Sequence, residues 1–279
     1  MASDELVLSH FSIRHADFVQ RARAATAAGY VGIGLYLREY ERLRADGRTD
    51  AQLRATLEEH GQRVVEFEAL RGWASSGAAH ATCLRHLDVI DAMAEAFGPV
   101  HHVQVIGPYE GTVDDAAEGF AMACDRLAQH GMRAALEYFP EMSNIPNAEA
   151  AWQIVQLAGR DNGGLCVDSW HHFRTGDTFA ELARIPGDRI VGVQINDGPQ
   201  QRTVADYYTD CTSYRLVPGQ GDFDLVGFVR TLDAAGVDVP FEVEVISLEL
   251  DRLPVTEAAR LMADGTRAVL AAARSSTDS

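Results

Sequence analysis

Polar side chains that could bind a metal ion or move a proton occur near the ends of several short apolar runs in this sequence. The run "ALEYFP" carries Glu137, and "GLCVDSWHH" carries Asp168 with His171 three residues later. Two later runs, "VGVQIND" and "FEVEVIS", carry Gln194 and Glu244. Oxygen donors of these kinds suit a divalent cation such as Mg²⁺ or Mn²⁺, and a nearby histidine can accept or return a proton. The pattern predicts metal-assisted proton transfer if the fold brings these runs to one edge.

The elements that must position these residues are short apolar runs alternating with segments of helical periodicity. The predicted strands are 6–11, 30–35, 63–70, 101–107, 133–139, 164–168, 190–196 and 240–246. The predicted helices are 15–28, 49–60, 80–97, 114–130, 147–158, 178–184, 224–235 and 255–273. Eight such units predict an α/β fold, a single (β/α)8 barrel over residues 1–274, with a disordered tail at 275–279. Active sites of such barrels lie at the carboxyl ends of the strands, where the four runs would meet.

The longest irregular stretch, residues 197–222, follows the seventh predicted strand and is rich in Gln, Tyr, Asp and Gly. Loops of this length in compact domains usually serve a function. We therefore expect this segment to contribute to the site.

Composition excludes several functions. The formal charge is −17, and all 24 basic residues are arginines. Such acidity argues against nucleic acid or an anionic membrane as partner, and the lack of lysine excludes a lysine Schiff base or a P-loop. The scattered cysteines suggest neither a disulfide framework nor a zinc ribbon. The first residues do not resemble a secretory leader, and no apolar run approaches a membrane span, so we expect a cytoplasmic protein.

Several further residues are candidates for contact with a substrate. Glu68 on the third strand and His102 on the fourth could reach the pocket, although a hydrogen-bonded core histidine is an ordinary alternative. Arg215, before a Pro-Gly-Gln-Gly turn, could hold an anionic or hydroxylated substrate or form a loop salt bridge. Glu242 shares a strand face with Glu244, and the latter is the preferred ligand because it lies nearer the carboxyl end. Each acid could also be a solvated strand end or a helix cap.

Several longer stretches carry a family resemblance that covers nearly the whole chain. They are "AAGYVGIGL", "VVEFEALRGW", "LEYFP", "VDSWHH", "YRLVPGQGDFDL" and "VEVIS". The chain resembles the xylose isomerase-like barrels, which include sugar phosphate isomerases and epimerases and the family-2 AP endonucleases. The resemblance implies a metal held by Glu137, Asp168 and Glu244, with His171 facing the substrate.

The sequence departs from many sugar epimerases at the seventh strand, where Gln194 replaces a histidine ligand. A glutamine there looks more like the 3-dehydroshikimate dehydratase branch, which eliminates water. The trinuclear zinc site of the endonucleases needs an Asp-x-His after this strand, and "VADYYTD" supplies none. The resemblance therefore argues against a nuclease and leaves the choice between isomerisation and elimination open.

These observations together predict a divalent-metal-dependent isomerase or epimerase that acts on a small polyol or keto-sugar. The alternatives are a dehydratase of the 3-dehydroshikimate or inosose type and a non-catalytic ligand-binding barrel. One Mn²⁺ or Mg²⁺ ion would be held by Glu137, Asp168, Gln194 and Glu244. Proton transfer would involve His171, Glu137 and Glu244, and substrate binding would involve Glu68, His102 and Arg215. We expect no nucleic acid or membrane partner, and a homo-oligomer stays open.

Overall fold

A computed structural model describes residues 3–141 and 143–275 of the chain. Its strands form one closed barrel in which every hydrogen-bonded pair of neighbours is parallel. The strands are β1 (Leu6–Leu8), β2 (Gly32–Tyr36), β3 (Val64–Leu70), β4 (His102–Val105), β5 (Arg133–Glu137), β6 (Gly163–Asp168), β7 (Ile190–Ile195) and β8 (Phe241–Val243). The predicted (β/α)8 barrel is confirmed. Apart from Ser275, the predicted tail lies outside the described residues.

The helices surround this barrel, and the longer ones follow the predicted segments. They are α1 (Phe18–Ala28), α2 (Leu37–Ala45), α3 (Asp50–Glu59), α4 (Gly77–Phe97), α5 (Val113–Ala128), α6 (Ala148–Ala158), α7 (Ser169–Thr175), α8 (Phe179–Leu182), α9 (Tyr207–Cys211), α10 (Leu225–Ala234) and α11 (Val255–Arg274). None of them, within the described ranges, is long and apolar enough to cross a membrane. Side-chain caps begin several helices; Asp17, for example, accepts the backbone N–H of Gln20 at the start of α1.

Three of these helices, α2, α7 and α9, were not predicted from the sequence. Helix α7 begins directly at the end of β6, and Asp168 serves as its N-cap by accepting the backbone N–H of Trp170 at 2.8 Å. A strand that passes into a helix without a glycine or proline gives no boundary signal in the sequence. The short α9 lies inside the segment predicted as irregular, where Asp206 caps it.

The interior of the barrel is more polar than the branched apolar filling usual for this architecture. Buried side chains of Glu66, Glu68, His102 and Gln104 occupy it from β3 and β4, and Glu242 enters it from β8. The apolar core lies mainly between the strands and the surrounding helices. A polar interior of this kind opens onto the carboxyl rim and positions the site.

Candidate active site

Two acids and a histidine converge where β5 and β6 end. The Nε2 atom of His171 lies 3.2 Å from Glu137 Oε1 and 3.6 Å from Asp168 Oδ2. On the other side of the ring, Nδ1 lies 2.6 Å from the hydroxyl of Tyr207, which α9 supplies. Glu137, Asp168 and His171 are each at most 1% exposed. The imidazole is therefore held from both sides, with one nitrogen facing the carboxylates.

Asp168 is fixed by contacts to both of its oxygens. Asn196 Nδ2 donates to Oδ1 at 2.7 Å, in addition to the helix-cap bond. Arg215 Nη1 donates to Oδ2 at 2.7 Å. The same Nη1 atom also donates to Glu244 Oε2 at 2.9 Å, and all three side chains are buried. A positive charge thus bridges Asp168 and Glu244, two of the predicted metal ligands.

Gln194 lies level with Asp168 on one side and with Glu242 on the other in the strand register. Its Nε2 donates to Glu242 Oε2 at 2.7 Å. Its Oε1 is buried and has no hydrogen-bond partner among the described residues. A buried carbonyl oxygen without a partner is costly, and binding a cation is one way to satisfy it.

Glu137 has a further partner, Gln104, whose Nε2 donates to Glu137 Oε2 at 2.6 Å. Neither Gln104 nor Tyr207 was a sequence-based candidate for the site. Gln104 had a signal, because it lies two residues beyond His102 and so shares its strand face. Tyr207 had none, because its position depends on the path of a long loop.

Glu68 and His102, both predicted to contact substrate, lie with Glu66 and Glu242 and do not line the main cavity. One carboxylate oxygen from each of Glu66, Glu68 and Glu242 lies within 4.8 Å of the others. The Nε2 atom of His102 lies 3.4 Å from Glu66 Oε2. The candidate residues thus form a group at the rim and a cluster of acids inside the barrel, and the two meet at the hydrogen bond between Gln194 and Glu242.

Burial shifts the protonation equilibria of the rim residues. It raises the pKa of Glu137, and the negative charges of Asp168 and Glu244 add to the effect. It raises the pKa of Glu244 to about 7, against the opposing charge of Arg215. It lowers the pKa of His171 to about 3, although Asp168 opposes this. His171 is therefore neutral near pH 7 and carries one ring proton that it can share with a carboxylate.

A cavity of about 300 Å³ opens beside the rim residues. Its lining includes Arg71, Gln104, Glu137, Arg215 and Glu244. The side chain of Arg71 is exposed and makes no hydrogen bond or ion pair with the described residues. The cavity therefore combines a buried acidic wall with a free positive charge.

The donor set at the rim fits a divalent cation. One ligand atom from each of Glu137, Asp168 and His171 lies within 4.8 Å of the other two. Oxygen donors dominate this set, and Gln194, whose Oε1 has no hydrogen-bond partner among the described residues, pairs with Asp168 in the strand register. Hard and borderline divalent cations bind such combinations of carboxylate, amide and imidazole.

The fold is a closed parallel barrel, and its buried acids and histidine lie at the carboxyl ends of the strands. These features place the protein in the class of (β/α)8 barrels with a polar site at that end. The chain belongs to the xylose isomerase-like TIM barrel family, which matches residues 22–268. A solved structure of "IOLI protein with a binding zinc atom" superposes with a TM-score of 0.86 over 98% of this chain and 100% of its own, at 20% identity. That likeness shows the fold, and the zinc belongs to the other protein.

Two curated relatives have enzyme names. The chain is 26% identical to "3-dehydroshikimate dehydratase" of Pseudomonas aeruginosa over 257 residues, which is 90% of this chain and 39% of the relative. It is 30% identical to "Inosose isomerase" of Bacillus velezensis over 156 residues, which is 56% of this chain and 54% of the relative. The chain therefore spans about two fifths to one half of the curated relatives that it matches. The two names are those of a dehydratase and an isomerase, so these relatives differ in reaction type.

Proposed function

We propose that the protein is a dehydratase dependent on Mn²⁺ or Mg²⁺ that removes water from a small hydroxylated cyclic ketone with a carboxylate group, of the 3-dehydroshikimate class. The proposal rests on the residues that line the cavity. One wall holds Glu137, whose carboxylate contacts His171, and the lining also includes the unpaired Arg71. The match to dehydratases over most of the chain supports elimination.

Glu137, Asp168, Gln194 and Glu244 would hold the cation, and His171 Nε2, 3.2 Å from Glu137 Oε1, would keep its proton for transfer. When bound, the cation would act as a Lewis acid that polarises the substrate carbonyl. Arg215 would have to share Asp168 and Glu244 with the cation, because its Nη1 atom contacts both acids.

The chain's own residues account for the proton transfers. If Tyr207 donates to His171 Nδ1, the ring proton lies on Nε2 and is shared with Glu137 across 3.2 Å. The Glu137 carboxylate accepts the proton adjacent to the substrate carbonyl. His171 Nε2 gives its proton to the departing hydroxyl and takes the proton held by Glu137 in return, so that water leaves and both side chains end in their starting states. Gln104 keeps the carboxylate in place through its bond to Oε2.

Arg71 supports a carboxylate-bearing substrate in particular. A guanidinium binds a carboxylate through two parallel hydrogen bonds, and here the side chain has no competing partner among the described residues. A neutral inosose would leave this charge unused. On this ground we put elimination ahead of the isomerisation that the sequence alone favoured.

Isomerisation is the second candidate function. The 30% identity to an inosose isomerase over 156 residues favours it. It would use the same first step, and the Glu137 and His171 pair would then return the proton to a carbon atom of the substrate.

The test uses protein stripped of metal by a chelator and reloaded with Mn²⁺. It is incubated in D₂O with 3-dehydroshikimate and, separately, with inososes, and the products are followed by mass spectrometry. Loss of one water from 3-dehydroshikimate supports the dehydratase, whereas an inosose product of unchanged formula supports the isomerase. Absence of turnover and of deuterium exchange with every substrate contradicts both and favours a ligand-binding barrel.

A matched pair of variants tests the carboxylate contact. Arg71→Gln should raise KM for 3-dehydroshikimate about tenfold or more, in line with loss of a charge-assisted hydrogen bond, with kcat little changed. Arg48→Gln, an exposed arginine outside the cavity lining, is the control. An unchanged KM in Arg71→Gln contradicts the proposed role of Arg71.

A further inference from the structure

The acid cluster inside the barrel, formed by Glu66, Glu68 and Glu242, has no role in the proposed reaction. Glu66 and Glu68 project from β3, and Glu242 projects from β8. Their exposed fractions are 1%, 0% and 3%. One oxygen from each lies within 4.8 Å of the others. Three carboxyl groups therefore share one small, buried space inside the barrel.

The described residues supply no arginine to balance this cluster. Across residues 3–141 and 143–275, the three acids form no ion pair with an arginine, and their only basic neighbour within salt-bridge distance is His102. Burial lowers the pKa of His102 to about 3, so the imidazole is neutral near pH 7. Burial raises the pKa of Glu66 and of Glu68, and the charges of neighbouring acids raise both further. Ionised carboxylates in such a place need a positive partner.

His102 supplies an independent sign of a missing ligand. Its side chain is buried, and neither ring nitrogen has a hydrogen-bond partner among the described residues. Its Nε2 atom points at the cluster, 3.4 Å from Glu66 Oε2. An unsatisfied buried nitrogen costs about 1–3 kcal/mol. A neutral imidazole beside carboxylates is also a common arrangement of metal ligands.

The acids are also left with free oxygens. Glu66 Oε1, Glu68 Oε2 and Glu242 Oε1 are buried and lack hydrogen-bond partners among the described residues. The other oxygen of Glu242 accepts from Gln194, and the other oxygen of Glu68 accepts the backbone N–H of His10 at 3.3 Å. Each acid therefore keeps one buried oxygen that has no hydrogen-bond partner among the described residues and could bind a cation.

Gly34 on β2 makes the space for these side chains. A Cβ atom at this position would lie 2.6 Å from Glu66 Oε1 and closer still to Glu68 Oε1. No positive φ angle calls for glycine at this position. The absent side chain therefore serves to admit the two carboxyl groups.

We propose that Glu66, Glu68 and Glu242, with His102 Nε2 as a fourth donor, form a second divalent-cation site inside the barrel, which adjoins the rim site at the hydrogen bond between Gln194 and Glu242. Three carboxylate oxygens and one imidazole nitrogen suit Mn²⁺ or Zn²⁺ better than Mg²⁺. The ion would link β3, β4 and β8 across the interior. It would stabilise closure of the barrel where β1 and β8 are only three residues long.

The test counts bound ions on the full chain. Metal-free protein is titrated with Mn²⁺, and free Mn²⁺ is followed by electron paramagnetic resonance. The wild type should bind two equivalents, Glu66→Gln should bind one, and Asp168→Asn should also bind one. Asp88→Asn, an exposed surface acid, is the control and should keep two. A wild type that binds at most one equivalent, or a Glu66→Gln variant that binds as many as the wild type, overturns the proposal.

A second measurement needs no variant. Anomalous scattering from wild-type crystals grown with Mn²⁺ should show a peak about 2.0–2.6 Å from oxygens of Glu66, Glu68 and Glu242, as expected for metal–oxygen bonds. A second peak elsewhere, or none besides the rim peak, overturns the proposal even if Glu66→Gln does not fold. Failure of the interior site leaves the rim site and the proposed reaction untouched, because Asp168→Asn and the turnover assay report on those separately.

Discussion

Replacement of Arg215 by methionine tests how the rim carboxylates are balanced. The guanidinium donates to Asp168 Oδ2 at 2.7 Å and to Glu244 Oε2 at 2.9 Å. All three side chains are at least nine-tenths buried. Removing one partner of a buried ion pair costs about 3–5 kcal/mol because the remaining charge stays unpaired. Arg215→Met should therefore lower the free energy of unfolding of metal-free protein by about that amount at pH 8.

The pH dependence of this loss follows from Glu244. Its folded pKa of about 7 lies above the value in the unfolded chain, so the folded state binds more protons and is destabilised as pH rises. Loss of Arg215 raises the folded pKa further, because the guanidinium favours the ionised form. The variant should therefore be closer to the wild type at pH 5.5, where the carboxyl group is protonated in the folded protein, than at pH 8.

The assay is urea unfolding in chelator, followed by tryptophan fluorescence. Arg260→Met is the control, because Arg260 and Asp264 form an exposed pair at 56% and 55% side-chain exposure, and such pairs contribute about 0.5 kcal/mol or less. Divalent cation at a concentration about 100 times its Kd should raise the free energy of unfolding by about 2.7 kcal/mol in a variant that retains the rim site. A loss below about 1 kcal/mol for Arg215→Met at pH 8, or an equal loss at both pH values, would refute the reasoning.

Three further substitutions give expected results. Burial lowers the pKa of His172 to about 4, so between pH 6.5 and 4 the unfolded chain binds a proton that the folded chain does not. The wild type therefore loses stability on acidification through that range, and in His172→Phe this loss should be smaller by about 3 kcal/mol. Tyr207→Phe removes the hydroxyl 2.6 Å from His171 Nδ1 and should lower kcat about tenfold with unchanged metal content. Gly192→Ala brings a Cβ to 2.8 Å from His102 Nε2 and should destabilise the fold by about 1–3 kcal/mol in urea unfolding.

Controls accompany two of these variants. His80→Gln alters a partly exposed histidine and should keep the acid loss of the wild type. Tyr40→Phe removes a hydroxyl that donates to Asp50 at 3.0 Å away from the cavity and should leave kcat unchanged. The expectation for His172 is contradicted if His172→Phe loses as much stability on acidification as the wild type. The expectation for Tyr207 is contradicted if Tyr207→Phe keeps the full kcat, and that for Gly192 if Gly192→Ala is as stable as the wild type.

The sequence determined the barrel and the rim that carries its polar residues. Alternating strands and helices leave few architectures, and parallel strands place their carboxyl ends on one side of the barrel. Position along each strand therefore sufficed to nominate Glu137, Asp168 and Glu244 together. His171 followed from the family resemblance, which implies a histidine facing the substrate three residues beyond the aspartate of the sixth strand; helix α7, which carries it, was not predicted.

Only the tertiary structure decided which of the other polar residues meet. The position of a side chain inside the barrel depends on how far neighbouring strands are staggered when the sheet closes, and in the closed barrel Glu68 and His102 are not part of the cavity lining. Arg215 and Tyr207 reach the rim through a loop whose path depends on distant contacts, such as the Asp197 carboxylate that accepts the backbone N–H of Gly219. Local sequence patterns carry no record of such contacts, because they form only when segments far apart in the chain have packed together.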